Sequence, residues 1–304
     1  MLRKLFSVLV LSTLSASLMA DPIPGIGPVG KVEKAQGGFA FTEGPAADNA
    51  GNLYFTDIPN EEIHKLTPEG KHSTFVEKSN HANGLMFDGQ GRLIACEMDG
   101  RLAAYSPSGK RVILAEGYKG NRFNAPNDLV VDSHGGIYFT DPTFRAPMPL
   151  PQGKAAVYYL NAKGEVTRLL DNLPNPNGVI LSTDEKTLYV IPTGQAEMMS
   201  YPVESQGKIG AGKVFATLDQ PKGKKGGGGD GLTIDTKGNL YITSAMGIQV
   251  FSKEGEKLGL LVFPEQPSNC TFAGPDRKTL FVTARTSLYK VRLEAQGHTF
   301  PGKP

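Results

Sequence analysis

The chain has 304 residues, of which 39% are hydrophobic and 20% are charged, and this composition excludes an intrinsically disordered protein. Its 37 glycines and 22 prolines predict frequent turns, as an all-β protein needs. The formal net charge is +2, so nothing favours nucleic acid or an anionic membrane as a partner.

The first twenty residues predict a secretory signal peptide. Arg3 and Lys4 are basic, Leu5 to Leu18 is apolar with some Ser and Thr, and Ala20 offers a small residue before Asp21. A transmembrane anchor is the alternative, but the apolar run is shorter than the roughly 20 residues that span a bilayer. We therefore expect a signal peptide over residues 1–20, export to a bacterial periplasm, and no membrane insertion after cleavage.

The rest of the chain repeats one pattern six times. Each copy has a polar residue, a small or apolar pair, a turn rich in Asp, Gly, Asn or Lys, and then an alternating strand. The copies begin at Glu43, Asn83, Asn127, Asn177, Asp230 and Asn269, which lie 39 to 53 residues apart. Further short strands follow within the copies, and four strands at this period are typical of a propeller blade. A solenoid is the structural alternative, but it would need capping repeats, which the sequence does not show.

The sixth copy has too few strands for a complete blade. After Ser287 to Leu293 the sequence becomes polar, whereas Gly30 to Ala35 precedes the first copy and can supply the missing outer strand. Such a closure removes the free edges of the sheet. We predict an all-β fold, a six-bladed β-propeller of four-stranded antiparallel blades. It forms a single domain over residues 21–304, and we expect a monomer.

The first residues of the six copies should converge, because the innermost strand of each blade lines the central channel. All six side chains offer an oxygen atom, and the carboxylates of Glu43 and Asp230 match the charge of a divalent cation. Oxygen ligands favour Ca²⁺ or Mg²⁺, and an irregular mixture of amides and carboxylates suits Ca²⁺ best; Zn²⁺ is a further candidate. The alternative is structural, since Asn-Gly and Asp-Gly are common turn dipeptides.

Several motifs together carry a family resemblance. They are Arg122 to Leu129, Tyr138 to Pro142, Glu43-Gly44-Pro45, Pro176-Asn177-Gly178 and Asp230-Gly231. They resemble the calcium-dependent lactonases of the gluconolactonase, regucalcin and senescence marker protein type. The resemblance implies that Glu43, Asn177 and Asp230 bind the metal directly. It also implies that Asn127 completes the metal shell or contacts the substrate.

A lactonase needs a group that stabilises the developing oxyanion and a base for the attacking water. A divalent cation can supply the first, and we predict Asp230 as the base, with Asp128 as the alternative. The predicted reaction opens a small lactone, such as gluconolactone, to the acid. The family includes organophosphate hydrolases, so ester or organophosphate hydrolysis remains an alternative. A second alternative is a non-catalytic propeller that binds a ligand.

Four further residues are candidates for substrate binding. Asn83 and Asn269 are first residues of their copies, and the six first residues together form the predicted ring around the channel. His81 lies two residues before Asn83, on the same side by strand alternation. Arg145 lies in the Pro-rich loop Thr143 to Gly153, which could form a lid or a plain surface loop. A structural role is the alternative for His81.

The two cysteines, Cys96 and Cys270, fall in predicted core strands of different copies. Export would permit a disulfide, but this placement predicts two buried thiols.

Overall fold

The computed structural model describes residues 22–224 and 226–301, so the predicted signal peptide over residues 1–20 lies outside the described residues. Within these ranges the chain forms 27 strands and no helix. The described part of the chain therefore contains no apolar helix of membrane-spanning length.

Six antiparallel sheets follow one another along the chain, and each forms one blade. Strand β1 (Glu33–Gly37) comes first but belongs to the last blade. Blade 1 contains β2 (Thr42–Ala47), β3 (Leu53–Asp57), β4 (Glu62–Leu66) and β5 (His72–Glu77). Blade 2 contains β6 (Ala82–Phe87), β7 (Leu93–Glu97), β8 (Arg101–Tyr105) and β9 (Arg111–Ala115). A short hairpin of β10 (Gly117–Tyr118) and β11 (Asn121–Arg122) follows.

The remaining blades repeat the same order from the innermost to the outermost strand. Blade 3 contains β12 (Leu129–Val131), β13 (Ile137–Asp141), β14 (Ala156–Leu160) and β15 (Val166–Leu170). Blade 4 contains β16 (Pro176–Leu181), β17 (Thr187–Pro192), β18 (Glu197–Ser205), the short β19 (Lys208–Ile209) and β20 (Lys213–Thr217). Blade 5 contains β21 (Leu232–Ile234), β22 (Leu240–Ser244), β23 (Gly247–Phe251) and β24 (Lys257–Leu261). Blade 6 contains β25 (Asn269–Ala273), β26 (Thr279–Ala284) and β27 (Ser287–Arg292), with β1 outermost.

The N-terminal strand closes the propeller, which confirms the prediction. β1 pairs antiparallel with β27 from Glu33 opposite Lys290 to Gly37 opposite Ser287. The strand begins three residues later than expected, because the chain bends at Val29 and Gly30 before it joins the ladder. The first and last strands of the described residues thus lie in one blade, which closes the circle.

Aspartates fix the turns that separate the first two strands of several blades. The Asp48 Oδ1 atom accepts hydrogen bonds from the backbone N–H groups of Ala50 and Asn52, both at 2.9 Å. Asp88, Asp132 and Asp235 accept the equivalent pairs in blades 2, 3 and 5. Such side-chain bonds favour a tight turn over continued strand, which accounts for the repeated Asp-rich turns.

The core lies between the blades, because each sheet packs against two neighbouring sheets. All five residues of β3, β7, β13 and β22 are therefore buried on both faces. Outer strands such as β5 and β9 are mostly exposed or half-buried. Cys96 and Cys270 are buried and unbridged, as predicted.

Hydrogen bonds near the axis join each blade to the next. Three threonine hydroxyls in the second strands reach the next blade: Thr56 to Asn83 O (3.2 Å), Thr140 to Asn177 O (2.7 Å) and Thr243 to Ser268 O (2.8 Å). Backbone N–H groups join the others, from Gly84 to Asn127 O (2.7 Å) and from Gly178 to Asp230 O (3.1 Å). Ser268 Oγ donates to Thr42 O at 2.7 Å and completes the circle. These bonds hold the starts of the innermost strands in register.

Candidate metal centre

The six residues that begin the sequence repeats lie at or next to the hydrogen bonds that join neighbouring blades near the axis. Five of the six are buried, and Asp230 is partly exposed. The Asn177 Nδ2 atom donates to Asp230 Oδ1 at 2.7 Å and to Thr193 Oγ1 at 3.0 Å, so the ring residues of blades 4 and 5 are in direct contact. Thr193 is a partner that the sequence argument missed. It lies just beyond β17, outside the repeated pattern.

A glycine that follows the ring residue lets neighbouring blades approach closely. A Cβ atom on Gly44 would lie 1.8 Å from Asn83 O, and one on Gly231 would lie 2.0 Å from Asn269 Cγ. Gly84 and Gly178 lie against Asn127 O and Asp230 O in the same way. The Asn-Gly and Asp-Gly dipeptides are therefore not turn signals here, because the glycine makes room for the next ring residue.

The remaining ring side chains are fixed by short-range contacts. The Glu43 Oε2 atom accepts from Gly44 N at 2.9 Å, and Asn269 Oδ1 accepts from Cys270 N at 2.8 Å. The Asn83 amide lies 3.8 Å from the Met98 sulfur. Asp128, which follows Asn127, is buried, and its Oδ1 accepts from Leu129 N at 2.9 Å. The contact between Asp128 and Leu129 is a hydrogen bond at the start of a strand, which a purely structural aspartate would also make. It is compatible with a catalytic role as well.

Three carboxyl groups share this small region, and burial perturbs all of them. Burial, together with the charge of Asp230, raises the pKa of Asp128 to about 7, and the hydrogen bond from Leu129 opposes this shift. Burial raises the pKa of Asp230 to about 6, against the lowering effects of Asn177 and Arg285. Burial, and then the charge of Asp230, raises the pKa of Glu43 well above its ordinary range. Like charges therefore repel one another in a place of low solvation.

The donor set fits a divalent cation. Glu43, Asn127, Asn177 and Asp230 offer only carboxylate and amide oxygens as ligands, which hard cations prefer. A cation among them would remove the repulsion that raises the carboxyl pKa values.

Asp141 positions the loop that carries Asn127. Its two carboxylate oxygens accept hydrogen bonds from Asn124 N at 2.9 Å and Ala125 N at 2.7 Å. Burial raises the pKa of Asp141 to about 7, and these hydrogen bonds oppose the shift. The Asp of the Tyr138 to Pro142 motif is therefore a positioning residue for the other motif of the same blade.

His81 lies beside the ring rather than in it. Its φ of +53° puts it outside the extended strand, and β6 begins only at Ala82, so the premise of strand alternation was wrong. Its Nδ1 atom lies 3.1 Å from Asp99 Oδ1 and its Nε2 atom lies 3.8 Å from Glu61 Oε1. These three residues can offer ligand atoms within 4.8 Å of one another. The two carboxylates face different ring nitrogens, however. Contact of His81 with a substrate stays a prediction.

Arg145 is exposed in the loop between β13 and β14, on the same face of the propeller as the loop from β3 to β4. Its neighbours Phe144 and Ala146 belong to an apolar cluster on the same face. The other members of this cluster are Phe41, Ile58, Met98 and Ala125. Gln152 anchors the loop by donating to Asn121 O at 2.7 Å. The loop is thus attached to the body of the protein, and substrate contact by Arg145 stays a prediction.

A cavity of about 60 Å³ lies on the other side of the ring, along the channel. Asp128 and Asn269 line it near the ring, and Arg277, His298 and Phe300 line its far end. Such a volume has room for a few water molecules. The C-terminal segment that lines it is held by the His298 N–H bond to Ile234 O at 3.0 Å. The polar composition of this segment did not indicate that it lines a cavity.

Arg285 is the second residue that the sequence argument missed. It lies in the turn between β26 and β27, and its positive charge lowers the pKa of Asp230. The turn lies more than fifty residues from Asp230 in sequence, and only the closed propeller places it by the ring.

The chain is similar in sequence and in fold to known proteins. Residues 41–286 match the family model described as SMP-30/Gluconolactonase/LRE-like region. A gluconolactonase of Zymomonas mobilis is 32% identical over 285 residues, which cover 84% of this chain and 80% of the relative. The structure of a gluconolactonase from Xanthomonas campestris is 30% identical with a TM-score of 0.80, and the match covers 86% of this chain and 89% of that one.

A further structure shares the fold alone. The calcium-binding protein regucalcin of Agrobacterium tumefaciens is 22% identical with a TM-score of 0.76, over 89% of this chain and 95% of that one. The family model covers every ring position and five of the six blades' strands in full. The chain therefore belongs to the SMP-30/gluconolactonase/LRE-like family.

Proposed function

We propose that this protein hydrolyses small lactones, of which gluconolactone is the model, and that it uses a divalent cation to do so. The observation that carries the proposal is the cluster of three carboxyl groups, Glu43, Asp128 and Asp230, among the ring amides; Glu43 and Asp128 are buried, and desolvation raises the pKa of all three. A scaffold propeller has no need of such unfavourable burial. The names of the gluconolactonase relatives support lactone hydrolysis over other ester chemistry.

Glu43, Asn127, Asn177 and Asp230 would hold the cation, and we propose Ca²⁺, because it tolerates an irregular shell of oxygen ligands. When bound, it supplies Lewis-acid polarisation of the lactone carbonyl. The Asn177 amide orients Asp230 by its hydrogen bond to Oδ1.

The reaction adds water to the carbonyl carbon and breaks the ring C–O bond, which gives a hydroxy acid. Asp230 accepts a proton from the attacking water and returns it to the departing alkoxide, so the base is regenerated. Asp128, with its Oδ1 engaged by Leu129 N, is the alternative base. Asn83 and Asn269, which are buried and belong to the two blades that flank the blade of Glu43, would donate hydrogen bonds to the substrate.

The test is an assay of the purified protein after chelation, with and without Ca²⁺, Mg²⁺ or Zn²⁺, on a lactone, an aryl ester and a phosphotriester. We expect lactone turnover that chelation abolishes and Ca²⁺ restores, with Glu43→Gln unable to recover. Glu61→Gln is the control, because it removes a carboxylate of the cluster beside the ring. Full activity of the protein after chelation of its metal ions would refute the metal proposal. Turnover of the phosphotriester but no lactone would overturn the substrate class.

We further propose that the protein is an exported, monomeric enzyme of a bacterial periplasm. The basic Arg3 and Lys4 ahead of an apolar stretch support export. The mass of the protein in a periplasmic extract tests this, since cleavage after Ala20 predicts an N-terminus at Asp21. Gel filtration with light scattering tests the monomer.

A further inference from the structure

Arg285 is fixed beside the ring by its backbone. Its carbonyl oxygen accepts hydrogen bonds from Thr42 N at 2.8 Å and from Thr42 Oγ1 at 3.2 Å, and Thr42 immediately precedes Glu43. The residue has a φ of +51°, so the turn projects its side chain from a constrained position. The backbone bonds do not depend on the side chain, and a substitution at this position should leave them in place.

The guanidinium group of Arg285 is held between two neutral side chains. It lies 5.6 Å from the centre of the Phe41 ring, and Nη2 donates to Gln266 Oε1 at 2.8 Å. Within residues 22–224 and 226–301, no carboxylate lies within ion-pair distance of it. The side chain is exposed, and its positive charge lowers the pKa of Asp230.

The Arg285 guanidinium has more N–H donors than Gln266 engages. The guanidinium carries five N–H groups in a fixed planar fork, and Gln266 accepts from only one nitrogen. A planar fork can bind two oxygen atoms at once, which suits vicinal hydroxyl groups as well as a carboxylate.

The local charges favour a neutral partner. Glu43, Asp128 and Asp230 carry three negative charges when ionised, and a divalent cation together with Arg285 would carry three positive charges. The assembled site would then be neutral, without net attraction for an anionic substituent.

We propose that Arg285 is a specificity-determining residue that donates hydrogen bonds to the hydroxyl groups of the bound lactone. The favoured substrates are thus neutral, polyhydroxylated lactones rather than unsubstituted ones. This inference rests on the proposed lactonase function.

The test compares two lactones with the same six-membered ring, glucono-δ-lactone and δ-valerolactone, which lacks the hydroxyl substituents. Hydrogen bonds to a charged group contribute about 1.5–3 kcal/mol, which corresponds to roughly 10- to 150-fold. Arg285→Gln should lower kcat/KM for the hydroxylated lactone by about 10- to 100-fold more than kcat/KM for δ-valerolactone, because the loss of charge near Asp230 affects both substrates alike. Arg285→Lys keeps the charge near Asp230 but loses the fork, and it should show most of the same loss.

Arg292→Gln is the matched control, because it removes a guanidinium from the far end of the same blade, where Arg292 contacts Asp276. It should leave both substrates unaffected, and melting temperatures of all variants check the fold. An equal loss on both lactones, or none on either, overturns the inference. If the wild-type protein hydrolyses neither lactone, the proposed function fails and this inference with it. Turnover by the wild-type protein with an unchanged substrate ratio in the variants refutes the role of Arg285 alone.

Discussion

Asp230 and Asp128 are close in space but are held by different partners. Asp230 accepts from the side chain of a second predicted metal ligand, Asn177, whereas Asp128 accepts from the backbone of the following residue. The first arrangement couples the carboxylate to the ring, and the second couples it to the strand β12. Both carboxyl groups have raised pKa values, so only substitution separates their roles.

Asp230→Asn should weaken calcium affinity and also lower kcat when calcium is saturating. The amide keeps one oxygen and nearly the same volume but cannot accept a proton, and loss of a general base typically costs about 10²–10⁴ in rate. Calcium titration followed by steady-state kinetics measures both effects. Asp128→Asn is the control and should leave calcium affinity nearly unchanged.

Other outcomes would reassign the base. If saturating calcium fully rescues Asp230→Asn while Asp128→Asn stays inactive, the base is Asp128. If both variants hydrolyse lactones normally, the proton goes elsewhere, and His81 becomes the next residue to substitute.

Gly44 tests the close approach of blades 1 and 2. Gly44→Ala places a Cβ atom 1.8 Å from Asn83 O at a φ of +46°, so the two blades must separate. We expect the free energy of unfolding to fall by more than about 3 kcal/mol, as for other severe core clashes. Gly70→Ala is the control, because its φ is +86° and nothing lies within 4 Å. That variant should lose only the backbone strain of about 1–2 kcal/mol. Equal losses in urea denaturation would contradict the packing role of Gly44.

At the scale of whole elements, the sequence repeats were sufficient to predict the blades. Four of the six copies carry the same Asp turn, and all six carry a strand after the turn, so period and polarity are local signals. The strand β1 was found because blade 6 lacked a partner, but its start was misplaced by the bend at Val29 and Gly30. The contribution of His298 and Phe300 to the cavity lining has no local signal, since it depends on where a polar segment meets the closed circle.

The positions of the ring residues were predictable because they follow the same sequence repeats as the blades. The ring residues occupy one position of a repeated pattern, so their convergence follows from the fold. Thr193 and Arg285 lie in turns outside that pattern, and only tertiary structure brings them near Asp230. His81 was misjudged because a left-handed residue interrupts the strand geometry that the alternation argument assumed.

Two truncations separate the closing strand from the arm that precedes it. A chain that starts at Gly38 lacks β1, whereas one that starts at Glu33 keeps β1 but loses Ile23 and Ile26, which are buried against blades 5 and 6. We expect the Gly38 chain to lose the most thermal stability, because it leaves β27 as an open edge. Calorimetry of both chains measures this. A Gly38 chain that melts no lower than the Glu33 chain would mean that β1 does not close the fold.

At the scale of the whole molecule, the propeller holds like charges together that would separate in the unfolded chain. Six blades are tied into a circle by hydrogen bonds between neighbours, so Glu43, Asp128 and Asp230 cannot move apart without opening the circle. The unfavourable burial of these groups is a direct cost to the metal-free fold. A cation that binds only the folded state offsets it and stabilises the protein by mass action.

This coupling predicts how calcium stabilisation depends on pH. In the metal-free fold the pKa of Asp128 is about 7 and that of Asp230 is about 6, both above the ordinary value of 3.8. The folded state therefore binds more protons than the unfolded state between about pH 4 and pH 7. As a result, metal-free stability rises as the pH falls through this window and is lowest above pH 7. Calcium needs the ionised carboxylates, so protons compete with it in the same window.

The increase in melting temperature on addition of calcium should accordingly be larger at pH 8 than at pH 5.5. Asp141, whose pKa is also about 7, titrates in both forms, so it cancels when the calcium-free melting temperature is subtracted at each pH. Asp230→Asn provides the control, because weakened calcium binding should reduce the increase at both pH values. Scanning calorimetry at fixed calcium concentration measures the four differences. An increase at pH 5.5 that equals or exceeds the one at pH 8 would mean that calcium is not held by these carboxylates.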